Sequence, residues 1–183
     1  LAVYQTKQPD AFAMPVDPAN PAGPLVFGIF GEQRNRGIEL SFDGEPVDGL
    51  RIIGGGSIND ATLRDTPGGV NDGNEAVGVP DYLINANVEW DLPFLPGTTL
   101  TGRVARTGEQ QVNATNTLQI PAWTRFDIGA RYVFVVGDKP LTLRFNIDNV
   151  ANERYWASSF DAFGAALLQG EPRTFKLSAS IDL

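Results

Sequence analysis

Apolar and polar residues alternate along most of this chain with a period of two, the signature of strands with two unlike faces. The clearest case is the C-terminal stretch. Phe175, Leu177, Ala179, Ile181 and Leu183 point one way, and Thr174, Lys176, Ser178, Ser180 and Asp182 the other. Helical periodicity is nearly absent. The pattern predicts eight strands. The first is short, over residues 1–6. The second is long and ends in RNRGIELSFD, with Ile38, Leu40 and Phe42 opposed to Glu39, Ser41 and Asp43. The third is GLRIIGGGSINDATL, with Leu50, Ile52, Gly54 and Ile58 against Arg51, Gly55, Ser57 and Asn59. In the fourth, DYLINANVEWDL, Tyr82, Ile84, Ala86, Val88, Trp90 and Leu92 share one face, and Asn85, Asn87, Glu89 and Asp91 the other. The fifth, TTLTGRVARTG, alternates less cleanly. The sixth is TRFDIGARYVF, the seventh LTLRFNIDN and the eighth the terminal strand.

The connections alternate as well. DGEPVDG, LPFLPGT and VVGDKP are short, whereas the segments near residues 7–30, 64–79, 109–121 and 151–170 are long. Tight turns at one end and extended loops at the other are the arrangement of an outer-membrane β-barrel. By parity both chain ends fall on the short-turn side. A strictly alternating terminal strand is a hazard unless another strand pairs with it. The expectation is therefore an all-β, antiparallel transmembrane barrel segment of about eight strands, part of a larger closed sheet.

A soluble β-sandwich also shows short alternating strands. Against it stand a polar face with charges of both signs, an apolar face rich in Gly and Ala as well as aromatics, and Tyr82, Trp90, Phe94, Trp123 and Phe134 near strand ends, where interfacial girdles lie.

Composition narrows the chemistry. With 14 Lys+Arg against 22 Asp+Glu, the chain lacks the basic surface that a nucleic-acid binder presents to phosphates. It has no cysteine and no histidine, which removes thiol catalysis and a Ser-His-Asp triad. No apolar run approaches the roughly 20 residues of a transmembrane helix, which leaves strands as the means of crossing. The chain begins at Leu1 without a basic and apolar leader, as expected of a processed product or a piece of something longer.

Individual residues read as follows. Glu39, Arg51, Glu89, Arg131, Arg144 and Arg173 are charges expected on the lumen face, in structural ion pairs rather than catalysis; no catalytic residue is expected. Asn146, Asp148, Asn149 and Asn152 are expected to build a turn rather than a metal site. Gly54, Gly55 and Gly56 lack the Lys-Ser/Thr that follows a phosphate loop, so they mark a bend or a close backbone approach. Phe160 and Phe163 in the last long loop, and Tyr155 and Trp156 at its base, are the ligand candidates, since aromatic rings offer flat apolar area on which a ligand can stack.

Five stretches then support a family resemblance. FNIDNVANERYW and GEPRTFKLSASIDL resemble the corner and closing strand of TonB-dependent outer-membrane receptors. GEQRNRGIELSFDGEP, VPDYLINANVEWDLP and IPAWTRFDIGARYVF are similar to three earlier strands of that family, in the same order, so the resemblance covers about residues 31–183. The last loop, with Tyr155-Trp156 and then Gly170 to Arg173, looks most like the siderophore-receptor branch. The resemblance implies a location in the bacterial outer membrane, in contact with lipid. It implies a ferric siderophore as transported ligand rather than any covalently held cofactor, and a TonB system acting through an N-terminal plug that this chain does not include. Residues 1–183 would then be the C-terminal portion of a barrel of about 22 strands. Two rivals are a free-standing eight-stranded barrel with a structural or adhesive role, and a receptor of this family for haem, a vitamin or a sugar.

Overall fold

The computed structural model describes residues 1–161 and 165–181. Eight strands form one antiparallel sheet in chain order: β1 (Ala2–Pro15), β2 (Leu25–Val47), β3 (Leu50–Arg64), β4 (Tyr82–Asp91), β5 (Thr98–Thr107), β8 (Trp123–Val136), β9 (Lys139–Asp148) and β12 (Thr174–Ile181). Two small ribbons lie in the connections, β6 (Gln110–Gln111) with β7 (Gln119–Ile120), and β10 (Trp156–Asp161) with β11 (Ala165–Gln169). The sheet is open, with β1 and β12 at its two edges.

Cross-strand register assembles the two faces. One row runs Ile52–Val88–Gly102–Ile128–Ile147–Phe175, and the next Leu50–Trp90–Leu100–Ala130–Phe145–Leu177. Directly opposed residues share a face, so alternation within each strand becomes one continuous apolar surface across the sheet. Its large side chains, among them Ile38, Leu40, Phe42, Phe126, Ile128 and Leu177, are exposed. Strands of about ten residues, such as β4, β5 and β9, match what a tilted strand needs to cross a bilayer. Trp90 packs on Phe94 and Tyr132 on Phe134 at the short-turn end, as an interfacial girdle requires.

The three short turns carry left-handed glycines, at Gly49, Gly97 and Gly137. At Gly97 a side chain would also run into the Val133 carbonyl, so only glycine fits.

Four expectations need correction. Residues 7–30 are mostly strand, because β1 and β2 continue as a paired ribbon to Pro15 opposite Leu25, leaving residues 16–24 as the loop. Above the apolar belt both faces meet water, so the ladder continues while the alternation fades. Lys7 pairs with Glu32 there, and Phe12 meets Phe30 edge to face at 5.5 Å. The segment 151–170 holds the β10–β11 ribbon rather than a bare loop. β1 runs toward the loop side as expected, but it starts at Ala2 opposite Glu39, partway along β2, not at the turn end. Finally, Trp123 is not a girdle residue. Register sets it opposite Thr107 on the polar face, and it stacks on Tyr155 at 4.3 Å.

Candidate functional site

The sheet itself has no covered core. Most buried residues sit where the long connections fold together over the polar face: Ala61, Ala76, Ala105, Val112 and Ile120, with Thr107, Gln110, Gln111 and Ser159. Three connections meet there through polar contacts. Ser159, only 2% exposed, donates its hydroxyl to the Gln111 carbonyl at 2.7 Å. The Gly78 amide donates to the same carbonyl at 3.1 Å, and the Gln111 side chain donates to Glu75 at 2.6 Å. Asn116 closes the group, accepting from the Glu75 amide and donating to the Glu75 carbonyl. Nearly every polar group in this knot is satisfied, which is what allows loops to be buried at all.

Within the first of these connections, Thr66 donates both its amide and its hydroxyl to one oxygen of Asp72. Those bonds hold the Asp72 carboxyl below its ordinary pKa. Asp81, although exposed as a residue, shifts the other way. Partial desolvation, then the nearby Glu75 and Glu109 carboxylates, push it up.

The corner after β9 is built on Asn149, which is fully buried and adopts φ +52°. Its side-chain oxygen accepts from the Glu153 amide at 2.8 Å, and its nitrogen donates to the Glu153 and Glu171 carbonyls, each at 2.9 Å. The Asn149 amide donates to Asp127 on β8. Asn152 accepts from the Arg173 amide at 3.1 Å. These asparagines latch the corner to the segment that leads into β12. Among the described residues no group of three or more acidic, Cys or His side chains could hold a metal ion.

The corner positions a concave pocket of about 360 Å³ lined by Pro121, Ala122, Trp123, Glu153, Arg154, Tyr155, Trp156 and Gln169. Tyr155 is fixed there, with its ring against Trp123 and over Gly170, where any side chain would collide with it. Trp156 and the exposed Arg154 form the rim. Flat aromatic walls beside a cation suit a flat, anionic or electron-rich guest. Of the aromatic candidates, Tyr155 and Trp156 therefore share a pocket. Phe160 stands apart on β10 opposite Ala166, and is 47% exposed. Phe163 lies outside the described residues.

The predicted lumen charges all fall on the polar face or its loop end, but they do not form one cluster. Arg51 donates to Asp91 at 2.9 Å and to Glu89 at 3.3 Å. Arg131 approaches Glu89 at 3.7 Å and Asp91 at 4.0 Å, and donates to Thr99 at 3.1 Å. Thr99 in turn donates to Asp91 at 2.5 Å. Glu39 is exposed, with no ion pair among the described residues, and Arg144 donates to Ser180 at 3.3 Å. Arg173 contributes its backbone amide to Asn152. Asp91, Trp123 and Arg154 were not singled out as site residues. Asp91 was legible as the next polar position after Glu89, and Trp123 shares the odd numbering of Asp127 and Arg131 on the polar side of its strand.

Comparison with known proteins follows from this geometry. The family model described as "TonB dependent receptor-like, beta-barrel" matches residues 1–150. The ferrichrome receptor FcuA of Yersinia enterocolitica is 45% identical over 182 residues, covering 100% of this chain and 23% of that receptor. Among solved structures, BauA, the ferric preacinetobactin receptor from Acinetobacter baumannii, superposes with a TM-score of 0.83 at 39% identity, over 99% of this chain and 26% of that one. The siderophore receptor PiuA from the same species superposes with a TM-score of 0.77 at 22% identity, over 98% of this chain and 25% of that one, a likeness of fold alone. The chain thus spans about a quarter of the length of these relatives.

Proposed function

The chain belongs to the TonB-dependent receptor β-barrel family, and on that premise we propose that it forms the C-terminal wall of a larger receptor that takes up a ferric siderophore. Proteins of this family are transport receptors of the bacterial outer membrane, and the exposed apolar face of this sheet is its lipid surface. The observation that carries the proposal is the whole-chain likeness to a ferrichrome receptor and to a ferric preacinetobactin receptor.

In this reading the packed outer connections receive the iron chelate, and the aromatic pocket at Trp123, Tyr155 and Trp156 lies at the base of that vestibule. The paired charges of the polar face keep the wall hydrated, and passage is gated by a plug that a TonB system moves. The segment makes and breaks no bonds. The open sheet favours this reading over a free-standing eight-stranded barrel, because β1 and β12 each present an unpaired edge.

The test is radioiron uptake by cells that produce the full-length receptor, with the gene deleted as the comparison. Ferrichrome and ferric preacinetobactin are the first probes. Deletion should abolish uptake of one iron chelate, and de-energising the TonB system should do the same. Undiminished, TonB-independent uptake of every chelate tried would sink the proposal.

A further inference from the structure

Charge is spread unevenly along this chain. The four outer connections, residues 16–24, 65–81, 108–122 and 149–173, carry 9 Asp+Glu against 2 Arg and no Lys. The rest of the chain carries 13 Asp+Glu against 12 Lys+Arg. Nearly all of the net charge of -8 therefore sits in the connections, and the wall is close to neutral. The wall also pairs its charges. Arg51 and Arg131 meet Glu89 and Asp91, Arg36 meets Asp60, Arg125 meets Asp127, and Lys176 meets Asp148.

The acids of the connections are placed differently. Asp65, Asp72, Glu75, Asp81 and Glu109 are exposed. No ion pair among the described residues involves them. Glu75 and Glu109 accept from the side-chain amides of Gln111 and Gln119, at 2.6 and 2.7 Å, which are neutral donors. Asp81 registers the result: partial desolvation, and then Glu75 and Glu109, raise its carboxyl. Carboxylates from two connections thus add their fields at one place. Of the two arginines, Arg154 shares the aromatic pocket with Glu153, and the two offset each other there.

These connections fold over the polar face, so a chelate arriving from outside meets them first. A mouth lined by one sign of charge changes the local concentration and the association rate of a charged solute. The charge of a ferric chelate follows from its donors. Three doubly ionised catecholates leave the complex a trianion, three singly ionised hydroxamates leave it neutral, and a trihydroxamate with a free ammonium is a cation. Building on the reading of this chain as part of a siderophore receptor, we infer that the outer connections are a charge filter: they admit neutral or cationic ferric chelates, as trihydroxamates are, and turn away trianionic triscatecholates. The aromatic pocket is consistent with this. Its two charges cancel, so it offers a neutral, electron-rich guest flat area to stack on without drawing in an anion.

The test is stopped-flow quenching of tryptophan fluorescence with the purified full-length receptor in non-ionic detergent. Four probes are compared: ferrichrome, which is neutral; a linear ferric trihydroxamate with a free ammonium; the same chelate with that amine acetylated; and a ferric triscatecholate. The amine pair has one shape and differs in charge. At low salt the cation should associate about tenfold faster than its acetylated form, and about 0.5 M salt should close the gap. The triscatecholate should show no saturable binding. Asp65→Asn combined with Asp81→Asn should narrow the gap, whereas Asp138→Asn, a charge change at the short-turn end, should leave it. The wild-type salt series needs no variant to fold. Equal rates for the amine pair at low salt, or saturable binding of the triscatecholate, would overturn the filter and leave the receptor reading standing. Failure of all four chelates to bind would sink the receptor reading and the filter with it.

Discussion

Asn149 ties the last long connection to the closing strand, and replacing it with alanine tests how much of the loop depends on that tie. The side chain makes three hydrogen bonds at 2.8 to 2.9 Å and is 0% exposed. Each bond contributes about 1 kcal/mol net, and the Glu153 and Glu171 carbonyls would lose the donor that Asn149 supplies. The backbone is left-handed, with φ +52°, a conformation that asparagine tolerates and alanine resists by roughly 1 kcal/mol. Together these predict that Asn149→Ala weakens the corner by about 3–5 kcal/mol, a rise in local opening of roughly two to three and a half powers of ten. Hydrogen exchange of the full-length receptor in detergent reads this directly. The Glu153 and Arg173 amides should lose protection by that factor, while the β6–β7 connection holds. Asn149→Gly, which keeps the backbone conformation but not the bonds, should be milder than alanine by about 1 kcal/mol. Asn149→Asp should be as severe as alanine, because an oxygen would then face two carbonyls. Wild-type exchange at Glu153 in the alanine variant, or glycine no milder than alanine, would refute the argument.

Three further outcomes are expected. Ile128→Arg, in the middle of the apolar face, should cost about 2–4 kcal/mol in urea titrations of the refolded receptor, whereas Ser41→Arg on the polar face should cost little; equal losses would mean the faces are assigned wrongly. Arg51→Ala should change stability by no more than about 1 kcal/mol, since its pairs are exposed and Arg131 still neutralises Glu89 and Asp91; a much larger drop would show the network to be shielded from water. The Asp72 carboxyl is held below its ordinary pKa, so its contribution is present at neutral pH and fades as acid protonates it. Protection of the Thr66 and Asn71 amides, taken relative to their intrinsic exchange at each pH, should therefore fall on acidification, and Asp72→Asn should abolish that dependence.

Why the eight strands were legible while the loops were not follows from where water lies. Between Tyr82 and Trp90, or Phe126 and Phe134, one face meets lipid and the other water, so composition must alternate and register follows from it. Beyond Ile38 toward the loops, both faces of β2 meet water. Arg36, Arg34 and Glu32 occupy positions that lipid-facing residues hold lower down. The hydrogen-bond ladder runs on to Pro15 and Leu25, but no difference in solvent remains to mark it. The same holds for the β10–β11 ribbon. Its buried Ser159 is satisfied by Gln110 and Gln111, some 48 or 49 residues away in the chain, and no local pattern encodes such a partner.

Trp123 shows the remaining limit. Its place near a strand end suggested a membrane girdle, yet its parity matches Asp127 and Arg131, not Phe126 and Ile128. Side-chain direction in a strand is set by odd or even position, so parity outranks proximity to the end. The structure follows parity, turning the indole to the polar face, where it meets Tyr155. The same rule sends Arg106 to the lipid side with Ile84, although a charge there looks misplaced. In both cases the residue that breaks the expected chemistry of its surroundings obeys the geometry of its strand. Both are held by partners that make the position tolerable: Tyr155 for the indole, and Tyr82 and Thr124 for the guanidinium.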